Sequence, residues 1–297
     1  MPKAPKKTSA WRHRIEYLGF MLVRFLARHM PARFVDAASA RLWCLIAPRL
    51  FRHRRALRNL QAAMPHFSDH ERQSIAMAMW DNLGRTTMEA MALDQIADDP
   101  HAIEFTFSDE IVALMRDPKP AIFVGLHAGN WEVAAIAAEK FNKPLMGVYQ
   151  KILNPLVDRS VTSLRARFYK GGLHTKGADT VTRIRRGLAA GYSVAIMSDL
   201  RDAHGEFVPF FGLRARSTTF PALLARLYDA PIIAIRAVRI GVRQFRIDAV
   251  SIVAVKGPDR KRAVFETTER IQQQYETWIK EAPELWMWGH NRWDLKP

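Results

Sequence analysis

From residue 103 onward the chain alternates short β-rich runs with longer helix-like stretches, and that rhythm limits the fold more than any other feature. The runs are "IEFTF", "AIFVGL", "PLMGVY", "YSVAIMS", "PIIAIRAV" and "FRIDAVSI". Helix-like segments fall near residues 132–141, 155–168, 178–190, 217–229 and 261–281. Strands alternating with helices predict an α/β fold whose sheet is mixed, mostly parallel and flanked by helices. Residues 11–97 read instead as almost wholly helical. "FSDHE" supplies a start signal there, with Ser68 or Asp69 as N-cap and Glu71 close behind. The expected division is a disordered basic tail over 1–10, a helical membrane-associating region over 11–100, and an α/β core over 101–297.

Charge is distributed as unevenly as secondary structure. The chain carries a formal charge of +16, and its first 60 residues hold 14 Lys/Arg against two acids, Glu16 and Asp36, a net of +12. Such an excess meets polyanions: nucleic acid, an anionic membrane surface, or a phosphorylated substrate. Leu18, Met21, Leu22, Phe25 and Leu26 recur at i, i+3, i+4, i+7 and i+8 on one helical face, with Arg14, Arg24 and Arg28 around the rest. Trp11 and Tyr17 are residue types that settle at headgroup level. The uncharged run Tyr17 to Val23 falls far short of the roughly 20 residues that span a bilayer. The segment therefore reads as a helix lying in a membrane surface, its cations near anionic lipid. The alternative is a helix docked on its own domain with a basic solvated face. No cleavage-site pattern marks a signal peptide. Nucleic acid is disfavoured as partner, since no finger, helix-turn-helix or RNP-like pattern occurs. The single Cys44 excludes an internal disulfide and a cysteine-based zinc site. No metal site or cofactor is expected.

A histidine followed five positions later by an acid occurs three times: His66–Glu71, His174–Asp179 and His127–Glu132. Only His127 ends an apolar strand-like run and precedes a small-residue break into a helix. The C-terminal ends of strands in open α/β sheets line the ligand crevice. Gly129 permits a tight turn, Asn130 can cap, and Glu132 falls in the first helical turn. Two residues five apart inside one helix would point about 140° away from each other. With His127 on the strand end, Glu132 is expected to fold back and hold one ring nitrogen, leaving the other to take a proton. No G-x-S-x-G elbow is present, so the substrate brings its own nucleophile, such as a hydroxyl. The competing reading is a strand-end His beside a helix N-terminus that merely favours Glu132.

"HAGNWE" resembles the signature of the late lipid A acyltransferases, members of the wider glycerolipid acyltransferase group. The likeness extends along the chain. "RNL" at 58–60 with "MPHFSDHER", "VYQKILNPLVDRSVTSLRAR", "SDLRDAHGEFVPFFG" and "PELWMWGHNRWD" are each similar to further segments of that family. The resemblance implies a glycerolipid acyltransferase-like fold. It also implies transfer of a fatty acyl chain, usually from acyl carrier protein, to a hydroxyl of a phosphorylated glycolipid. The expected place is the cytoplasmic face of the inner membrane. By the same resemblance His127 is the general base, Glu132 its orienting partner, and Arg165 a residue supporting catalysis or anion binding. Asp199 is followed by Leu200 where the family often has Gln or His, and this departure does not support carrying over a side-chain role at that second position.

Other candidates rest on chemistry as well. Eight Lys/Arg lie between 159 and 186, among them Arg165 and Arg167. Guanidinium groups bind phosphate in two-pronged fashion, which suits a phosphorylated headgroup. Arg165, Arg167, Asn130 and Asp199 are accordingly expected among the substrate-binding residues. Asp199 follows another strand end and faces the same crevice, to orient substrate or pair with an arginine. "FVPFFG" is either acyl-chain wall or core. Trp286, Trp288, His290 and Arg292 fit either snorkelling at a membrane or packing in the core. The alternatives for the whole chain are an acyltransferase for another membrane lipid (a phosphatidylinositol mannoside or an ornithine lipid), a thioesterase, or a basic binding protein.

Overall fold

A computed structural model describes residues 10–177 and 179–295. The tail expected over 1–10 lies outside these residues, apart from Ala10, which opens the first helix. Before any strand come α1 (Ala10–His29), α2 (Ala32–Ile46), α3 (Phe51–Ala63), α4 (Asp69–Met91) and α5 (Leu93–Asp98). Helix α4 begins with a reciprocal capping box: Ser68 accepts from the Glu71 amide while the Glu71 carboxylate accepts from the Ser68 amide.

The remainder alternates as expected. It runs β1 (Ile103–Thr106), α6 (Asp109–Arg116), β2 (Ile122–Gly129), α7 (Ala135–Lys140), β3 (Leu145–Tyr149), α8 (Pro155–Arg165) and β4 (Leu173–Thr175). Then follow α9 (Thr180–Ala189), β5 (Ser193–Met197), β6 (Glu206–Phe210), β7 (Leu213–Ser217), α10 (Phe220–Tyr228), β8 (Ile232–Gly241), β9 (Gln244–Ile252) and α11 (Arg260–Glu281). Seven strands form one sheet in the order β1-β9-β8-β2-β5-β3-β4. Only the β8–β9 hairpin within it is antiparallel, so the sheet is mixed and mostly parallel. Strands β6 and β7 pair as a separate antiparallel ribbon.

Both sheet faces are buried, and β2 shows how. Ile122, Val124 and Leu126 join a cluster with α9, α10 and α11, whereas Phe123 joins another with α6 and α7. This two-sided burial is why the parallel strands read as continuous apolar runs. Helix α1 behaves differently. Leu18 is 67% exposed, Leu22 58% and Phe25 57%, while of its 20 residues only Ala27 is buried. Its apolar stripe faces outward and is joined by Phe34, Leu42 and Leu45 of α2 and Phe51 of α3. Contacts with α4, α5 and α8 fix the other side, including Arg28 on Asp94 and Asn154, the N-cap of α8, on the His13 carbonyl. Among the described residues no helix is long and apolar enough to cross a membrane.

Candidate active site

The site forms where β2 and β5 end side by side. The two strands pair in parallel with Ile122 opposite Val194 and Gly125 opposite Met197. Two residues further along that register, His127 lies beside Asp199. The Asp199 carboxylate accepts from the His127 amide at 2.9 Å and bonds the ring Nδ1 at 2.8 Å. A third donor, the indole N–H of Trp286, reaches the same carboxylate at 2.9 Å. Asp199 is fully buried, while the His127 side chain keeps 20% of its surface.

That arrangement decides the protonation chemistry. Burial favours the neutral carboxyl of Asp199, but the His127 charge, its two hydrogen bonds and that of Trp286 prevail and lower the pKa to about 2. Burial likewise opposes charging His127. The Asp199 charge and hydrogen bond, helped by the more distant charge of Glu132, overcome it and raise the imidazole above its usual range. With Nδ1 committed to Asp199, Nε2 makes no hydrogen bond among the described residues. An ionised carboxylate on Nδ1 fixes the tautomer that leaves Nε2 able to accept a proton.

The turn after His127 is rigidly made. Between Gly125 and Gly129 the pairing of β2 with β8 shifts register, a bulge that re-aims the strand end. Gly129 adopts φ +57°, and a Cβ there would lie 2.0 Å from the Ala237 carbonyl oxygen, so no other residue fits. Helix α4 anchors the turn from behind. Asn82 and Thr86 donate to the Gly129 carbonyl at 3.2 and 3.1 Å, and the Asn130 amide donates to Glu89 at 2.9 Å. Arg239 of β8 closes the network on Glu89, Asn82 and Thr86.

Glu132 does not hold the imidazole as the sequence led us to expect. Residues 131–134 form a turn ahead of α7, and the Glu132 carboxylate takes a two-pronged ion pair from Arg165, with Arg165 Nε at 2.8 Å and Nη2 on the other oxygen. Arg165 is thereby fixed at the end of α8 by Glu132, whose own charge reaches His127. Asn130, expected to meet substrate, is fully buried: its amide serves Glu89 and its Oδ1 accepts from the Glu132 amide. Arg167 points elsewhere, pairing with Glu139 and Asp98. Asp199, expected to face the crevice and meet substrate or an arginine, is fully buried, and its partners are His127 and Trp286.

The C-terminal segment completes the site. Trp286 bridges Ala128, and the Met287 amide donates to the His127 carbonyl at 3.0 Å. This brings the His290 ring within 5.5 Å of the His127 ring, centroid to centroid. Burial, the His127 charge, Arg52 and Arg55 lower His290 to about 4, against a smaller opposing effect of Asp199. His290 is thus a neutral neighbour. Trp286, Trp288 and Arg292 are all buried, so the aromatic ending is core and not a membrane fringe. "FVPFFG" also belongs to the core through Val208 and Phe210, with Phe207 left exposed.

Next to the imidazole lies an apolar slot. Trp131, edge-on to His127 at 5.3 Å, is part of its lining. Its lining also includes Phe123, Gly125, Met197, Ala135, Ala138 and Leu145, from β2, β5, α7 and β3. The cavity volume there is about 40 Å³, within a wider space that opens to solvent. Small side chains on α7 leave this space against the sheet. Among the described residues no group of three or more His, Cys, Asp or Glu side chains gathers to hold a metal ion.

An imidazole on a buried carboxylate, an arginine–glutamate pair and an apolar slot suit proton-assisted chemistry on a lipid-like substrate. The chain is 25% identical over 254 residues to the lipid A biosynthesis lauroyltransferase of Escherichia coli (strain K12), covering 81% of this chain and 78% of that protein. Residues 1–294 match the family described as bacterial lipid A biosynthesis acyltransferase, and the chain therefore belongs to that family of acyltransferases.

Proposed function

We propose that this lipid A biosynthesis acyltransferase moves a fatty acyl chain from acyl carrier protein to a hydroxyl of a phosphorylated glycolipid, with His127 as general base. The observation that carries the reading is the His127–Asp199 contact, which leaves Nε2 unbonded beside an apolar slot. Nε2 takes the proton of the acceptor hydroxyl as its oxygen attacks the thioester carbonyl carbon. The C–O bond forms, and the carbonyl π pair moves onto oxygen. In this reading Arg165, steadied by Glu132, stabilises that oxyanion or receives a substrate anion. Collapse breaks the C–S bond, and Nε2 returns its proton to the departing thiolate. In this reading the slot receives the acyl chain. The outward apolar stripes of α1 and α2, with the basic residues beside them, rest on the cytoplasmic face of the inner membrane.

The test is an assay of the purified protein with a panel of acyl thioesters and a phosphorylated glucosamine disaccharide lipid. Acylated glycolipid is the expected product. His127→Ala should lower the rate by roughly 100- to 10,000-fold while remaining folded. Normal turnover by folded His127→Ala refutes the assignment. Free fatty acid released without acceptor would mark a thioesterase instead.

A further inference from the structure

Helix α3 runs along the loop that carries His290. Arg52, Arg55 and Asn59 recur at i, i+3 and i+7, which puts them on one helical face. Asn59 is buried and donates through Nδ2 to the carbonyls of Trp288 and His290, both at 2.7 Å. Arg52 packs against Gly289, where an added Cβ would sit 3.5 Å from the Arg52 Cβ and carbonyl oxygen. The face bearing both arginines therefore follows residues 288–290 towards the ring that neighbours His127.

Among the described residues their charge has no carboxylate partner. Among the described residues Arg165, Arg167, Arg236, Arg239 and Arg243 each have a carboxylate partner. Arg52, Arg54 and Arg55 have none, and the charges of Arg52 and Arg55 reach His290. Arg55 lies 5.1 Å over the ring of Phe51, whose exposed side chain continues the apolar stripes of α1 and α2. Unpaired cations thus stand between a lipid-facing surface and the proton-accepting imidazole. Two guanidinium groups there favour a compact, multiply charged anion with several acceptor oxygens.

We propose that Arg52 and Arg55 form a subsite for a phosphate monoester of the acceptor glycolipid, holding its sugar hydroxyl within reach of His127. The proposal rests on the acyl-transfer reading above. It predicts that acceptor recognition, and not the chemical step, depends on α3. An acidic protein surface is the rival occupant.

The experiment compares wild type with the double variant R52Q/R55Q in mixed micelles, using acceptor with and without its phosphate monoester. The double variant should raise KM for the phosphorylated acceptor roughly ten- to a hundredfold, as loss of charge-assisted hydrogen bonds does. Its kcat and its KM for the thioester should stay near wild type, and R52K/R55K should recover part of the loss. On the acceptor without phosphate, wild type and variant should be equally weak. An equal loss on both acceptors overturns the proposal, and so does a rise confined to the thioester KM, which assigns the cations to the carrier protein. Equal loss of binding to phosphatidylglycerol micelles without glycolipid also overturns it, by assigning them to the bilayer. A binding arm separates this idea from its parent. Phosphate-dependent retention of glycolipid that R52Q/R55Q abolishes, without acyl transfer by wild type, upholds the subsite and sinks the chemistry.

Discussion

His127 and Asp199 stand 2.8 Å apart because β2 and β5 are neighbours whose pairing keeps a constant offset of 72 residues, from Ile122–Val194 to Gly125–Met197. Extending that offset by two residues joins the strand ends. The parallel sheet thus holds the imidazole and its carboxylate at a fixed separation, while the His127 amide and Trp286 both donate to the other oxygen of Asp199. A dyad held by three bonds to one buried carboxylate loses little order when the substrate arrives, which is how preorganised sites gain rate.

Asp199→Asn is the sharpest test of this geometry. The amide keeps its size but removes the charge that favours the protonated imidazole and the correct tautomer. A comparable change in serine proteases lowers kcat by roughly 10⁴-fold. Here kcat should fall by roughly 100- to 10,000-fold, with circular dichroism unchanged. A loss under threefold would mean that Asp199 is not the partner that matters.

The pH profile carries independent information. His127 must be neutral to accept a proton, and its pKa is raised above the ordinary 6.5 by Asp199 and Glu132 against the effect of burial. Acyl-transfer kcat/KM should therefore climb with pH through a midpoint above 6.5. Asp199→Asn should move that midpoint down, since the residual burial disfavours the charged ring. A midpoint unmoved by the substitution would assign the titration to another group.

Glu132 and Arg165 act as a pair, and the expected phenotype follows from their geometry. The Glu132 carboxylate grips Arg165 through two donors, so Glu132→Gln frees the arginine without touching the His127–Asp199 contact. Activity should fall through misplacement of Arg165, and Arg165→Lys should fail to restore it, because an ammonium cannot make the two-pronged contact. The pH midpoint should shift less for Glu132→Gln than for Asp199→Asn. An equal shift would return Glu132 to the role of direct partner of His127.

Much of this architecture is legible in the chain, and the exceptions have physical reasons. The apolar runs of the central strands announce themselves because both sheet faces are covered. Strand β4 is three residues, "LHT", too short for any period, and in the β6–β7 ribbon a proline and alternating arginines disguise the pairing. His127 is legible as a strand end, but its partner is not. Sequence proximity points to Glu132, whereas the true neighbour depends on which strands lie side by side, a property of the packed sheet. Trp286 and His290 are hidden for the same reason, since tertiary contacts such as the bridge to Ala128 bring them there. Gly125, read as one more strand residue, shapes the slot because it lacks a side chain.

Behind the turn, the buried Glu89–Arg239 pair makes a stability prediction. Glu89 is 1% exposed and also holds the amide of Asn130. Glu89→Ala leaves the Arg239 guanidinium, 13% exposed, without its counter-charge. Breaking one side of such a pair costs about 3–5 kcal/mol. Urea unfolding should show this loss with an unchanged m-value. A cost below about 1 kcal/mol would show the network to be dispensable and the turn to be held by the α4 bonds to Gly129 alone.

Chain-length preference should follow the floor of the slot. A Cβ on Gly125 would lie 3.0 Å from the Met197 sulfur, the far end of a flexible side chain, so Gly125→Val displaces Met197 into the unfilled space. That shortens the room open to an acyl chain, and the ratio of short- to long-chain transfer should rise. Met197→Ala removes the same half-buried side chain and should move the ratio the other way, at some cost in stability. Ratios measured within one protein cancel losses of folded enzyme, so the two variants make opposed predictions that general destabilisation cannot imitate. Parallel changes in both would place the acyl chain outside the slot, along the exposed apolar stripes of α1 and α2.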